Sequence, residues 1–297
     1  NLVIVQLKLR AYKTSVVPDI RLPKMVQFSA LFNQYWPLVG SAVFISIGIP
    51  IATLLAMSLS DGAVSVFSLG SKVVLFVTGL LGAVITTVML PYFSNLMAKK
   101  HLVDARRELS FFLLTATFIA VPLSVGIYLY SNLIVDLMLA GGDFSIESKE
   151  QVTRVMKYSI VQLPFFVCNA LLLRFAISTK HVLSIFVVAV LGLTANVVIS
   201  MLLMNHMGVA GIALGGSVAM LISTILLALV LVRFWHITLL DLIIILLNWM
   251  LFVTLLIGVH FNNLPSVYVV IVAYVVLMTG YLKSLVSFPS LSAGVKS

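Results

Sequence analysis

Charged side chains are what this chain has least of: they make up 9% of its 297 residues, and only nine are Asp or Glu. An ordinary globular domain carries about 25%, and a soluble protein of this length could not cover its surface with so few. Cysteine occurs once, as Cys168 inside an apolar run, which excludes an intramolecular disulfide and leaves no thiolate metal pattern. Glycine-rich stretches are present, but no Gly-Lys-Ser/Thr follows them and no nucleotide motif occurs. The five histidines sit at the ends of apolar runs without metal-ligand spacing, and neither a Ser/His/Asp set nor a pair of acids lies within those runs. These absences argue against hydrolytic or synthetic chemistry and against nucleotide-driven pumping. No metal and no cofactor is expected, nucleic acid is not an expected partner, and the chain does not read as an enzyme.

What is present is apolar. Hydrophobic residues account for 62% of the chain and mean hydropathy is +1.20. They come in blocks of about 20 residues, long enough to cross a bilayer as helices. Turn and charge signals divide the sequence into eight expected spans, at 36–60, 64–96, 109–130, 153–177, 182–204, 209–232, 240–260 and 265–286. The runs lack sustained two-residue alternation and are too long for barrel strands. The expected class is therefore an all-α integral membrane protein, a polytopic helical bundle. The opening stretch Leu2–Leu7 reads as the tail of an earlier membrane helix, and with no signal peptide before it the chain is expected to be a fragment.

The formal charge of +9 is read first as topology, because Lys and Arg favour the cytoplasmic flanks of membrane helices. Alternating through the eight spans, fourteen basic residues fall on one side, against Lys149, Arg154 and Lys157 on the other, with Lys72 inside a span. That asymmetry makes the segment 1–30 and the C-terminus cytoplasmic. Residues 8–30, with Pro18 and Pro23, read as a cytoplasmic connector, and 131–150 as a short outward interfacial helix followed by a Gly-Gly turn. Three regions result: the connector at 1–30, a six-helix lobe at 31–235, and two further helices with a tail at 236–297.

Pro50, Pro91, Pro122 and Pro164 interrupt the spans, as in bundles that rock around a cavity, although such kinks also serve packing alone. Lys72 lies about ten positions into the second span with no acid in the same helix. An intramembrane cation without a counter-ion suits an anionic ligand such as a pyrophosphate, and a lysine snorkelling to the interface is the other reading. Arg174, near the cytoplasmic end of the fourth span, is read first as a topology determinant and second as a cavity-lining group. Asn169, Asn196 and Asn205 either bond between helices or line the cavity.

The stretch Leu54–Ser65 with its Asp61-Gly62 turn, Lys72, then Gly79, Gly82, Thr87, Pro91 and Ser94, resembles the MurJ/MviN family of lipid II flippases. This family lies within the multidrug/oligosaccharidyl-lipid/polysaccharide exporter superfamily. Ile134–Phe144, Leu173-Arg174-Phe175-Ala176, and Asn196 followed by Gly208 and Gly211 agree with the same pattern. The resemblance implies the C-terminal lobe of a fourteen-helix bundle plus two extra helices, which in the family form a groove for a lipid tail. It departs where Lys72 stands for an arginine, Ser71 for an aspartate, Leu75 for the glutamate of some members, and Ala52 for an aspartate implicated in cation binding in some members.

The activity it implies is movement of undecaprenyl-pyrophosphate-linked peptidoglycan precursor across the bacterial cytoplasmic membrane by alternating access, in the service of cell-wall biogenesis. The alternatives are a flippase or exporter of another polyprenyl-linked polysaccharide unit, and a non-transporting membrane scaffold for cell-envelope synthesis. The expected substrate-binding residues are Lys72, Arg174, Ser71 and Asn196. Expected partners are the lipid-linked glycan, membrane lipids and other envelope-synthesis proteins.

Overall fold

The computed structural model describes residues 25–99, 102–140, 142, 145–179 and 182–235. They form eight helices: α1 (Met25–Met57), α2 (Ala63–Ala98), α3 (Leu102–Leu129), α4 (Ser131–Met138), α5 (Ile146–Ile160), α6 (Leu163–Ser178), α7 (Val182–Met207) and α8 (Val209–Trp235). Among the described residues, six helical segments are long and apolar enough to cross a membrane, α5 and α6 counting together as one. They correspond to the first six spans expected from the sequence. The connector at 1–24 and the spans at 240–260 and 265–286 lie outside the described residues.

The chain divides into two compact units, Asn1–Trp36 and Pro37–Ser297. Of the first, the described part is the opening of α1, whose Phe32 and Tyr35 are exposed. In the second, α6 is the centre. Leu163, Phe165, Cys168, Leu171 and Phe175 along it are all buried, and it packs on α2, α3 and α8. The Phe175 ring meets that of Phe93 edge to face at 5.3 Å between centroids, the geometry aromatic quadrupoles favour.

Pro164, expected to interrupt the span at 153–177, does so at the start of a second helix. The helix breaks at Val161-Gln162, and Pro164 stands in the first turn of α6. Proline has no N–H to offer and its ring crowds the carbonyl four residues back. In a membrane the freed groups must find partners within the protein. The Ser217 hydroxyl donates to the Tyr158 carbonyl at 2.7 Å, and the Thr224 hydroxyl, which donates to the Met220 carbonyl of its own helix at 2.7 Å, also lies 3.1 Å from the Phe165 carbonyl. Ser217 of α8 thus supplies a donor at the break. The interfacial helix expected within 131–150 is α4, which buries Ser131 and Val135 and exposes Leu133 and Leu137.

α7 and α8 form a close antiparallel hairpin. Its turn rests on Gly208 at φ 59°, a left-handed conformation that costs residues with a Cβ. Gly192 and Gly215 face Ser223 and Ser200 of the opposite helix so closely that a Cβ would not fit. Small residues permit this approach where no hydrophobic effect drives helices together.

A membrane-embedded cavity with one guanidinium

α1, α2, α6, α7 and α8 line an open-sided cavity of about 610 Å³, with the α5–α6 break also on its wall. Most of its lining is apolar, including Phe44, Ile45, Phe166, Leu193 and Met220. Polar atoms enter at a few points. α2 supplies Ser71, Thr78 and Thr86 at helical spacing, so the three share one stripe with Gly82. Ser159 and Gln162 come from the break, Asn169 and Arg174 from α6, Asn196 from α7 and Ser223 from α8.

Among the described residues, Arg174 is the one charged residue on the wall. Its Nη2 donates to the Thr86 hydroxyl at 2.7 Å, and that hydroxyl donates to the Gly82 carbonyl at 2.7 Å. Thr86 is therefore fully used, yet the guanidinium is not. Its Nε–H is buried without an acceptor, and no carboxylate forms an ion pair with it among the described residues. A cation on an apolar cavity wall that bonds one hydroxyl among the described residues is electrostatically open to an anion. A planar guanidinium suits phosphate oxygens in particular.

The residues expected from sequence fall into two places. Ser71, Arg174 and Asn196 line the cavity together. Lys72 does not line it: its side chain is exposed on the neighbouring face of α2, alongside the exposed Phe76. Asn196 lies in reach of Ser200, whose hydroxyl donates to its Oδ1 at 3.3 Å. Sequence reading missed Thr86, Ser159 and Gln162. The signal for Thr86 was the spacing Ser71, Thr78, Gly82, Thr86, a stripe of small and hydroxyl residues along one helix face.

A family model for the lipid II flippase MurJ matches residues 4–291. The chain belongs to that family. Its members are named as flippases, transporters rather than enzymes. Probable lipid II flippases MurJ from Bdellovibrio bacteriovorus and Thermotoga maritima are each 25% identical. The first matches over 222 residues, 74% of this chain and 38% of the relative; the second over 202 residues, 68% and 41%. The chain thus spans about two fifths of the length of these curated relatives. Among solved structures, a lipid II flippase MurJ in an inward closed conformation has the same fold. It has a TM-score of 0.63 at 19% identity and covers 96% of this chain and 61% of that one. A transporter of the MOP superfamily from Pyrococcus furiosus, described as having a binding pocket of reversed polarity, gives 0.52 at 15% identity over 84% and 60%. The helices and the family make the chain a multi-pass membrane protein.

Proposed function

We propose that this chain is the C-terminal part of a flippase that moves a polyprenyl-pyrophosphate-linked saccharide across the cytoplasmic membrane by alternating access, with lipid II the first substrate. The observation that carries the reading is Arg174, a guanidinium on the wall of a cavity between membrane-spanning helices, with no carboxylate paired to it among the described residues. An intramembrane cation kept without a fixed counter-ion has a ligand as its natural one. Lys72, on the exposed face of α2, offers a second positive charge to the headgroup phosphates outside this bundle. Ser71 and Asn196 supply hydrogen bonds from the cavity side. The connector at 1–30 and the C-terminus face the cytoplasm in this proposal, which rests on the fourteen-to-three asymmetry of Lys and Arg. The apolar runs 240–260 and 265–286 are two further spans, supported by their length and by the family match through residue 291.

The test is leaflet transfer of labelled lipid II in proteoliposomes, using the complete parent protein and its Lys72→Ala and Arg174→Ala variants. Transfer by the parent and its loss in both variants is the expected result. Transfer unaffected by either variant would remove these residues from the mechanism. A folded parent protein that moves another polyprenyl-linked glycan and not lipid II would shift the substrate; one that moves neither would favour the scaffold alternative.

A further inference from the structure

Three pairs of residues one turn apart divide the surface of α4 between three surroundings. Ser131 and Val135 are buried, Asn132 and Asp136 are exposed and polar, and Leu133 and Leu137 are exposed and apolar. Helical residues turn by about 100° each, so these pairs occupy three successive faces. Tyr130, 63% exposed at the start of the helix, falls beside Leu133 and Leu137, which are 56% and 71% exposed. The buried face meets protein: Val135 and Leu139 cluster with Val152 and Met156 of α5, and Val66, Leu69 and Val73 of α2 pack against them. What meets the two exposed faces follows from where α4 begins. From Leu109, just past Arg106, Arg107 and Glu108, to its end at Leu129, α3 rises roughly 31 Å at 1.5 Å per residue. The hydrocarbon core is about 30 Å thick, so α4 starts where hydrocarbon gives way to headgroups. α5, which follows, opens with Glu147, Lys149 and Glu150 and carries the exposed Glu150–Arg154 ion pair, groups that belong in water.

We infer that α4 is an interfacial helix that lays Tyr130, Leu133 and Leu137 into the leaflet at the Leu129 end of α3, and so holds α5 at the membrane surface. In the orientation proposed above this is the outer leaflet. The two leucines bring apolar area to the acyl boundary, the tyrosine ring suits the headgroup level, and Asn132 and Asp136 face water. Left in water, the stripe would forgo a burial free energy proportional to its apolar area, with hydrocarbon within reach. The seat has a consequence further down. α5 runs into the helix break, and Ser159 and Gln162 there line the cavity. The grip of the leaflet on α4 is therefore passed through Val135 and Met156 to the cavity wall.

The test places single nitroxide labels at 132, 133, 136 and 137 of the complete parent protein, by cysteine substitution on a background without other accessible cysteines. In proteoliposomes of phosphatidylethanolamine and phosphatidylglycerol, collisions with oxygen, which concentrates in lipid, are compared with those of a water-soluble nickel chelate. Leu133→Cys and Leu137→Cys should favour oxygen, and Asn132→Cys and Asp136→Cys should favour nickel. Nickel dominating at all four positions would overturn the seat and leave α4 in water. Protection from both reagents at 133 and 137 would overturn it in favour of a protein partner. The hold on α5 is read as the distance between labels at Gln151 of α5 and Met201 of α7, both exposed. Leu133→Asn with Leu137→Asn should broaden that distribution, and an unchanged distribution would overturn the hold. Leu137→Asn alone takes their place if the pair fails to fold. None of these readouts involves the cargo, so they stand or fall apart from lipid II transfer.

Discussion

Gly215 and Gly216 are consecutive in α8, yet alanine at each should have opposite consequences. At 215 an added Cβ would stand 2.7 Å from Ser200 Cα and 2.8 Å from Ser200 N, besides meeting the Ser200 hydroxyl. Carbon atoms in contact sit at about 3.5–4.0 Å, and backbone cannot rotate out of the way as a flexible side chain can. α7 and α8 must therefore part by on the order of 1 Å, which strains the buried Ser200 and its bond to Asn196. Overpacking of this kind costs about 1–3 kcal/mol. At 216 the nearest atom would be 3.9 Å away, an ordinary contact. There the only change is the helix preference of alanine over glycine, worth up to about 1 kcal/mol in favour of the variant. Heating the detergent-solubilised parent protein with a thiol-reactive fluorophore reports unfolding through Cys168, which is 1% exposed in the fold. A loss of 1–3 kcal/mol corresponds to a melting temperature lower by roughly 2–12 °C. Gly215→Ala should fall in that window, with lipid II transfer reduced because Asn196 moves. Gly216→Ala should melt at or slightly above the parent. Equal melting temperatures for the two variants would refute the close α7–α8 contact from which the difference was worked.

The Arg174–Thr86 bond should be visible in a double-mutant cycle. Thr86→Val and Arg174→Gln are expected to couple by about 0.6–1.7 kcal/mol in chemical unfolding in bicelles, the range for hydrogen bonds between membrane helices. Zero coupling would dissociate the pair. Gly208→Ala forces a Cβ into the left-handed region at φ 59°, costing about 1–2 kcal/mol and lowering the melting temperature accordingly. Thr117 is fully buried; its hydroxyl donates to the Leu113 carbonyl at 2.7 Å and lies 3.0 Å from Cys168 Sγ. Because the hydroxyl proton is used within α3, the thiol is the donor to Thr117. Thr117→Val therefore removes only a weak acceptor for sulfur and should cost less than about 1 kcal/mol by the same melting assay.

The six spans within the described residues were legible because the bilayer imposes a length and an apolar composition that few other structures need. Their ends were less so, for a reason visible at α3 and α5. The span read as starting at 109 begins at Leu102, because Arg106, Arg107 and Glu108 are helical while still charged. The span read as starting at 153 begins at Ile146, where Ser145 caps the helix by accepting from the Ser148 N–H. Hydropathy marks where a helix enters hydrocarbon. It does not mark where the hydrogen-bonded turns begin, which is set by capping at the interface. Pro164 announced an interruption, but its position at the start of a new helix, with Ser217 supplying a missing donor, depends on α8 lying alongside. A residue 53 positions away decides that.

Ser71 and Lys72 show the same limit at the scale of one residue. The sequence singled out the charge, since a lysine at membrane depth demands a partner or a ligand. Its neighbour drew notice only as a replaced aspartate. Successive helical residues differ by about 100° around the axis, so adjacent positions address different surroundings. Ser71 shares its face with Thr78, Gly82 and Thr86 and reaches the cavity of Arg174; Lys72 faces outward. A helical projection of α2 separates these two faces from sequence alone. Which face meets Arg174 is another matter, because it requires α6 to pack on α2, and that packing is fixed by Phe93 against Phe175 and by the helix break ahead of Pro164. The chemistry of the lobe was therefore written locally, as residue types at unusual depth, while its division into an inner guanidinium site and an outer lysine came from the way one helix is turned against another.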